Sequence, residues 1–380
     1  MRDAVIVEAV RTPVGRRNGA YADIHPVDLS AHILTALAER SGIDPSLVDD
    51  VVWGCVSQVG EQALNVGRNA ALGAGWPESV PGTTVDRQCG SSQQAVHFAA
   101  AGVVSGQYDI AVAGGVEVMT RVPMGSSIGK DVGFPFGPKV FERYDGKTFN
   151  QGLGAEMVAE RWGFSRTQLD EFSLASHQKA AAAIDSGAFA KQYAEVPGTG
   201  LETDEGVRRG GTLEAMAGLK TPFKEDGVIS AGNASQISDG SAALLITTSE
   251  KAAELGLKPL VRLHSFSVVG DDPVIMLTGP IPATAKVLAK AGLAIGDIGA
   301  FEINEAFAPV PLAWLAETGA DPAALNPLGG AIAIGHPLGG SGAVLMTRLV
   351  HHMVDNGIRY GLQSMCEGGG MANATILELV

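Results

Sequence analysis

The residue types suited to covalent and proton-transfer chemistry in this chain are two cysteines and a histidine, far apart in sequence: Cys89 in DRQCGSS, His336 in GHPLGGSG and Cys366 in CEGGG. Cys89 sits in TTVDRQCGSSQQAVHFAAAGVVS, residues 83–105. There a β-branched, strand-like run gives way to a Gly-Ser-Ser cap and then to a segment apolar on nearly every face, which predicts a buried helix with a sulfur at its mouth. Unpaired N–H groups and the positive dipole end at that position favour thiolate over thiol. Cys89 is therefore either an activated nucleophile or a small buried core residue. His336, followed by Pro337 and enclosed by glycines, lies on a rigid turn. From there it either serves a distant thiol as general base or is structural. Cys366 precedes Gly368, Gly369 and Gly370 at a strand end. It is a second thiol presented by a tight turn, or a buried cysteine beside a sheet bend. Asn304 and Glu305 in EINEAFAPV close another strand at its C-terminal edge, where open α/β sheets place their ligands. A polar pair there is otherwise a simple cap.

The elements that must bring these residues together repeat. A strand over 4–10, a helix over 26–40 and a strand over 50–56 open the chain, and KAGLAIGDIGAFEINEAF (290–307) matches SGIDPSLVDDVVWGCVSQ (41–58). Gly42 and Gly292, Val48 and Ile298, Val51 and Phe301, and Trp53 and Ile303 share one offset of 250 residues. A repeat that long implies two similarly folded halves. The strands 110–117 and 362–370 correspond, as do the Cys89 helix and the apolar segment 341–353. Two helices apolar all round cannot both face water, so they are expected to pack on each other between two sheets, with outer helices on the far faces. An insertion over roughly 119–240 separates the halves: Gly/Pro-rich loop at 123–139, helices over 152–162 and 166–187, then a charged stretch with Arg208, Arg209, Lys220 and Lys224. Those cations form a solvated face or a phosphate contact.

Bulk composition narrows the function classes. With 380 residues, 46% hydrophobic and 18% charged, the chain has length for two or three domains and a large interior, and disorder is not expected. Fifty glycines without a period point to tight turns and close backbone approaches. A net charge of −14 argues against nucleic acid or an anionic membrane as partner. No run approaches the roughly 18 apolar residues of a membrane span. The first residues lack the apolar core of a signal peptide. Three cysteines cannot all pair, which fits a reducing compartment, and a cytoplasmic location is expected. Metal-binding spacings are absent, and His351 and His352 face different ways on a helix.

Together, DRQCGSS around Cys89, GGVEVM (114–119), GNASQISDGSAA (232–243), NEAFA (304–308), GHPLGGSG (335–342) and CEGGG around Cys366 resemble the thiolases in order and spacing, across essentially the whole chain. The resemblance implies duplicated βαβαβαββ halves in a five-layered αβαβα sandwich with an inserted loop domain. It places the N-terminal half at 1–118 plus 241–267, the insertion that lids coenzyme A at 119–240, and the C-terminal half at 268–380. It also implies cleavage of a 3-oxoacyl-CoA by CoA, or the reverse Claisen condensation, through an acyl thioester on Cys89. By the same resemblance, His336 is expected to take the Cys89 proton, and Cys366 to protonate the leaving acetyl-CoA carbanion and deprotonate the incoming thiol. One oxyanion hole is built from His336 and a water held by Asn304, the other from the backbone N–H groups of Cys89 and Gly368. CoA contacts fall on Arg208, Phe223 and Ser235. The resemblance further implies that CoA is a substrate, that no cofactor stays bound, and that the assembly is a homodimer or homotetramer. The sequence departs from the family pattern at Asp86, usually Asn, and at Ser91-Ser92. It departs again at Asn150-Gln151-Gly152, which lacks a pocket Met, and at Glu367 beside Cys366. The missing Met suggests a bulky or branched acyl chain. A ketoacyl-synthase-type condensing enzyme and a catalytically silent CoA-thioester binding protein are the rival readings.

Overall fold

Alternating β-branched runs and Ala/Leu-rich segments fold as alternating strands and helices, described over residues 2–380 of a computed structural model. The first half comprises β1 (Val5–Arg11), β2 (Gly15–Arg16), α1 (Pro26–Ser41), β3 (Asp50–Gly54), α2 (Val66–Gly73), β4 (Gly82–Val85), α3 (Ser91–Ser105) and β5 (Ile110–Val118). The insertion carries α4 (Pro138–Arg143), α5 (Gln151–Trp162), α6 (Arg166–Asp185) and α7 (Leu213–Ala217), and β6 (Ser238–Thr247) and α8 (Ser249–Glu254) follow it. The chain ends with β7 (Val261–Gly270), α9 (Pro280–Ala291), β8 (Ala300–Ile303), α10 (Pro309–Thr318), α11 (Ala331–Ile334), α12 (Leu338–Asn356), β9 (Tyr360–Glu367) and β10 (Met371–Leu379).

The strands form one ten-stranded sheet in the order β4-β3-β5-β6-β1-β7-β10-β9-β8, with β2 on β6. β3 runs parallel to β4 and β5, and β8 parallel to β9; the other neighbours are antiparallel. The two wings join where Val5 and Ile6 of β1 pair with Arg262 and Val261 of β7. So the two expected sheets are wings of a single sheet, folded over a pair of central helices. Ala95, Ala99 and Val103 of α3 and Val344, Met346 and Val350 of α12 share one core with Ala113 and Leu244 of the first wing and Leu263 and Leu377 of the second. Leu29, Ile33 and Val66 of α1 and α2 cover the outer face of the first wing over Val51, Trp53 and Val112. Val287 of α9 and Trp314 of α10 cover that of the second over Phe301, Leu362 and Ile376. Five layers result, and α12, buried at every residue from Leu338 to Val350, is the innermost element.

The repeat is structural as well as sequential. Each half runs from a helix through a single 3-10 turn into a strand, and both helices end on a left-handed glycine, Gly42 at φ 71° and Gly292 at φ 70°. A side chain at either position would be strained, which fixes glycine there and the sharp return to the sheet. Residue 267 lies within β7, so we propose the division between the halves before that strand, in the segment that follows α8. In the insertion, α5 lies against α10 and α6 against α11, so the inserted helices sit beside the Asn304 and His336 loops.

Candidate active site

Cys89 is aimed by a strained turn. β4 stops at Val85, Gln88 adopts φ 49°, a left-handed conformation costly for a residue with a β-carbon, and α3 begins two residues after Cys89. The turn is latched from inside: Ser91 Oγ accepts from the Arg87 N–H (2.9 Å) and donates to the Gln88 carbonyl (2.6 Å), while Asp86 accepts from the Gln88 N–H (2.7 Å). Cys89 lines a cavity of about 580 Å3, together with Phe136, Phe149, Met276, Leu338 and the loop glycines Gly368 and Gly369. Gln151 of α5 reaches into it, with Nε2 4.0 Å from the Cys89 sulfur. At Gly368 an added β-carbon would stand 2.8 Å from Gln88 Oε1, so the Gln88 side chain lies directly against the Gly368 loop.

His336 is fixed at both ends. Gly335 before it has φ 103° and would clash with Ser238 if it carried a side chain. The His336 N–H reaches the Gln236 carbonyl and Ser238 Oγ, each at 3.2 Å. Its Nδ1 lies 2.5 Å from Ser341 Oγ, whose proton is given to the Pro337 carbonyl at 2.9 Å. With that proton directed at Pro337, Ser341 accepts from Nδ1–H, and the Nε2 lone pair faces the Asn304 amide NH2, a donor 3.4 Å away. Burial lowers the His336 pKa to about 4, so the ring is neutral at pH 7 and able to accept a proton. Replacing Ser341 by Ala removes the hold on this tautomer. The expected result is a kcat reduced about tenfold with KM little changed, read from steady-state rates.

Asn304 follows β8, its N–H bound to the Ser364 carbonyl of β9 at 3.1 Å, and it links the histidine to the second thiol. Its amide stabilises the Cys366 thiolate, and its own Oδ1 is buried without a partner. The Cys366 thiol is pushed well up by burial and next by the charge of Cys89, which puts the two sulfurs within electrostatic reach of each other. His336, Asn304 and Cys366 are buried and lie outside the lining of the large cavity, whereas Cys89 and Gly368 form part of it.

One expectation is corrected. The helix mouth predicts a thiolate, yet burial, followed by the charge of Glu367, pushes Cys89 up to about 12 against the opposing Gln151 contact. Dehydration outweighs the helix dipole, whose effect is worth about 1 kcal/mol. The resting thiol keeps its proton, so a nucleophilic role for Cys89 would require a base to take that proton during attack.

The proposed CoA residues divide into two places. Arg208 borders a separate cavity of about 220 Å3 with His177, Met216 and Leu219. Phe223 packs edge-on against Phe307 (6.1 Å between centroids), and the Ser235 N–H bonds the Ala306 carbonyl (2.9 Å), so both meet the segment that carries Asn304. Arg209 and Lys224 pair at the surface with Asp185 and Glu160.

Sequence reasoning gave no role to Ser341 or to Glu117. Glu117 is buried in β5 and accepts from the N–H groups of Val56 (3.0 Å), Ser57 (3.0 Å) and Gly339 (2.8 Å) and from Gln62 Nε2 (2.6 Å). It ties the start of α12 to the loop beside Cys89. The signal for it is an acid inside the otherwise apolar run IAVAGGVEV.

Two family descriptions match the chain: "Thiolase, N-terminal domain" over residues 4–250 and "Thiolase, C-terminal domain" over residues 257–379. A steroid 3-ketoacyl-CoA thiolase, FadA6, of Mycobacterium tuberculosis is 50% identical over all of this chain and 94% of its own length. A 3-ketoacyl-CoA thiolase of Pseudoalteromonas translucida is 43% identical over the full length of both. Among solved structures, an acetyl-CoA acetyltransferase of Bacillus anthracis superposes with a TM-score of 0.92 at 37% identity, covering 100% of this chain and 99% of that one.

Proposed function

The chain belongs to the thiolase family, and on that premise we propose that it cleaves 3-oxoacyl-CoA with free CoA, giving acetyl-CoA and an acyl-CoA two carbons shorter, in the degradative direction. The observation that supports this reading is a run of neighbours from separate segments: His336 Nε2 lies 3.4 Å from the Asn304 amide, Asn304 bonds the Cys366 thiol, and Cys366 feels the charge of Cys89. The names of the full-length relatives support it.

In the proposed mechanism neutral His336 takes the Cys89 proton at Nε2 as the sulfur bonds to C3 of the substrate. The tetrahedral oxyanion collapses, the C2–C3 bond breaks, and its electron pair leaves on C2 of acetyl-CoA. Cys366 gives its proton to that carbon. The resulting Cys366 thiolate then deprotonates the incoming CoA, whose sulfur attacks the acyl thioester, and Cys89 leaves and recovers its proton from His336. Negative charge on oxygen is met at two places: by His336 with a water held by Asn304, whose unpartnered Oδ1 suits such a water, and by the N–H groups of Cys89 and Gly368. CoA runs from Arg208 past Phe223 and Ser235. The cysteines titrate high because both are dry, and the same dryness strengthens every fixed donor around the oxyanions.

The acyl group is proposed to be bulky. The cavity at Cys89, about 580 Å3, lies in the range that takes drug-sized ligands (about 300–1,000 Å3), far more than a four-carbon chain fills. Gln151 stands where the family has a Met, and Met124, Ile128, Phe136 and Phe149 supply apolar walls. Thiolysis rates for acetoacetyl-CoA and for longer or cyclic 3-oxoacyl-CoA esters test this. The expected order favours the larger esters in kcat/KM by about tenfold or more, since a few buried methylenes contribute that much. A clear preference for acetoacetyl-CoA rules it out. The chain is proposed to work in the cytoplasm as at least a dimer. β4, an edge strand paired on one side only and flanked by Leu64 at 90% exposure, is a surface that a second copy would cover. No described helix is long and apolar enough to cross a membrane.

A further inference from the structure

We propose that Glu367 is a positioning residue for the nucleophile: a buried acid wedged against the first turn of α3, permitting ionisation of Cys89 while it holds its own proton and opposing it once that proton is lost. The proposal rests on the reading of Cys89 as nucleophile. Side chains alternate along a strand, so Cys366 and Glu367, the last two residues of β9, face opposite sides. Cys366 faces the inserted helices, in one core with Ala155 and Phe307. Glu367 faces the nucleophile turn: a β-carbon built on Gly90, the residue after Cys89, would stand 2.0 Å from Glu367 Oε1. The carboxyl therefore rests on the backbone that carries the reactive sulfur.

Its surroundings make it an unusual acid. Glu367 is 0% exposed, and neither carboxyl oxygen makes a well-formed hydrogen bond, the Asn373 N–H being the donor that approaches it. The groups around it come from three elements. The turn before α3 contributes Asp86, Arg87 and Cys89; its own strand contributes Cys366; β10 contributes Asn373 and Met371, which carry no charge. Arg87 acts on it electrostatically but makes no ion pair with it among the described residues, and instead turns Nη1 toward the Met371 sulfur at 3.8 Å. A dry carboxylate with so little to meet its charge is unfavourable, and burial outweighs both Arg87 and the Asn373 N–H, so the neutral acid is the resting form. Burial first, moderated by Arg87, pushes Glu367 up to about 8. Its charge is the next contribution after burial to the raised Cys89 thiol.

The consequence has a definite sign. Below about pH 8 Glu367 is neutral and adds no charge beside Cys89; as pH rises through that value it becomes negative and resists both the thiolate and the oxyanion that forms on the neighbouring N–H groups. A thiol enzyme should otherwise gain thiolate as pH rises. Here the gain is blunted by an acid one turn away.

The test is the rate of Cys89 alkylation by iodoacetamide between pH 6 and pH 10, read at the Cys89 peptide by mass spectrometry, for the full chain and for Glu367→Gln. The ratio of variant to wild-type rate is expected to climb about tenfold between pH 7 and pH 9.5, one pKa unit of released repulsion. The alkaline fall of kcat/KM is expected to move upward in the variant. Glu367→Leu, which cannot mimic a protonated acid, must give the same rising ratio. Glu367→Leu should melt at or above the wild-type temperature, because an unpartnered buried polar group is removed, and Glu367→Gln, which keeps one, should melt close to it. A ratio that stays flat with pH overturns the proposal, as does a lowered melting temperature with an unaltered profile, which marks a purely structural residue. Retention of turnover by Cys89→Ala would instead overturn the nucleophile reading itself. That result is distinguishable, because alkylation reports Cys89 ionisation whether or not the protein turns over.

Discussion

Cys89→Ala is expected to lose thiolysis by about four orders of magnitude or more, with the fold intact. The size follows from the absence of a substitute. Covalent transfer needs a nucleophile at the C3 carbon of the substrate, and the thiol within electrostatic reach of Cys89 is Cys366, which the proposed cycle already occupies with proton transfer. Water attacking in its place would release a free acid and no shortened thioester, so residual cleavage would also give a different product. The substitution removes one sulfur from a small buried cluster with Met119, Leu338, Leu345 and Met365, a cost of about 1 kcal/mol, too little to unfold the chain. Turnover is read with a 3-oxoacyl-CoA ester by acetyl-CoA release, and folding by the melting temperature. A variant that folds and keeps more than a few per cent of the wild-type rate sinks the mechanism. Acyl-CoA binding to the dead variant, together with protection of wild-type Cys89 from alkylation by acyl-CoA, separates the enzyme from a silent carrier, in which the thiol would not react.

The parts of this architecture that depend on local rules were legible before the fold. The 250-residue offset located two matching helix-turn-strand units because each needs a left-handed glycine at one point, Gly42 and Gly292. The apolar surroundings of α3 and α12 placed them at the centre, since no other layer could bury every face. Cys89, His336 and Cys366 stood out because glycine-rich turns are where a backbone can come close to a reacting atom. What stayed hidden depends on partners distant in sequence. The joining of both wings into one sheet turns on two residue pairs at β1 and β7. The resting state of Cys89 turns on how dry its surroundings become once α5 and the 119–150 segment close over it, and no helix-end rule contains that term. Ser341 and Glu117 matter through the atoms they meet 5 and 222 residues away, His336 and Gly339. For Ser341 the motif was visible and the role was not, because its proton's destination, the Pro337 carbonyl, fixes the histidine tautomer.

Cys366→Ala separates the two thiols. In the proposed cycle Cys366 forms no covalent intermediate, so the variant should retain Cys89 alkylation by iodoacetamide while thiolysis falls by about a thousandfold, the range for loss of a general acid-base group. A sharper reading comes from carbon. In the wild type, the Cys366 thiolate removes a proton from C2 of acetyl-CoA and returns one, so acetyl-CoA incubated with enzyme in deuterated water takes up deuterium at its methyl group. Without Cys366 no remaining group is placed to do so: His336 is turned by Ser341 to present Nε2 toward Asn304, and Glu367 faces the opposite side of β9. Loss of exchange with preserved alkylation of Cys89 therefore assigns proton traffic at carbon to Cys366 and covalent traffic to Cys89. If exchange continues near the wild-type rate, Cys366 is a buried structural thiol and the acid must be sought elsewhere. Cys366 lies in one core with Ala306, Phe307 and Ile332, and removing its sulfur leaves a void of about one atom there. A drop in melting temperature alone, with exchange per folded molecule unchanged, would point to the same structural role, and the two measurements together leave no overlap between the readings.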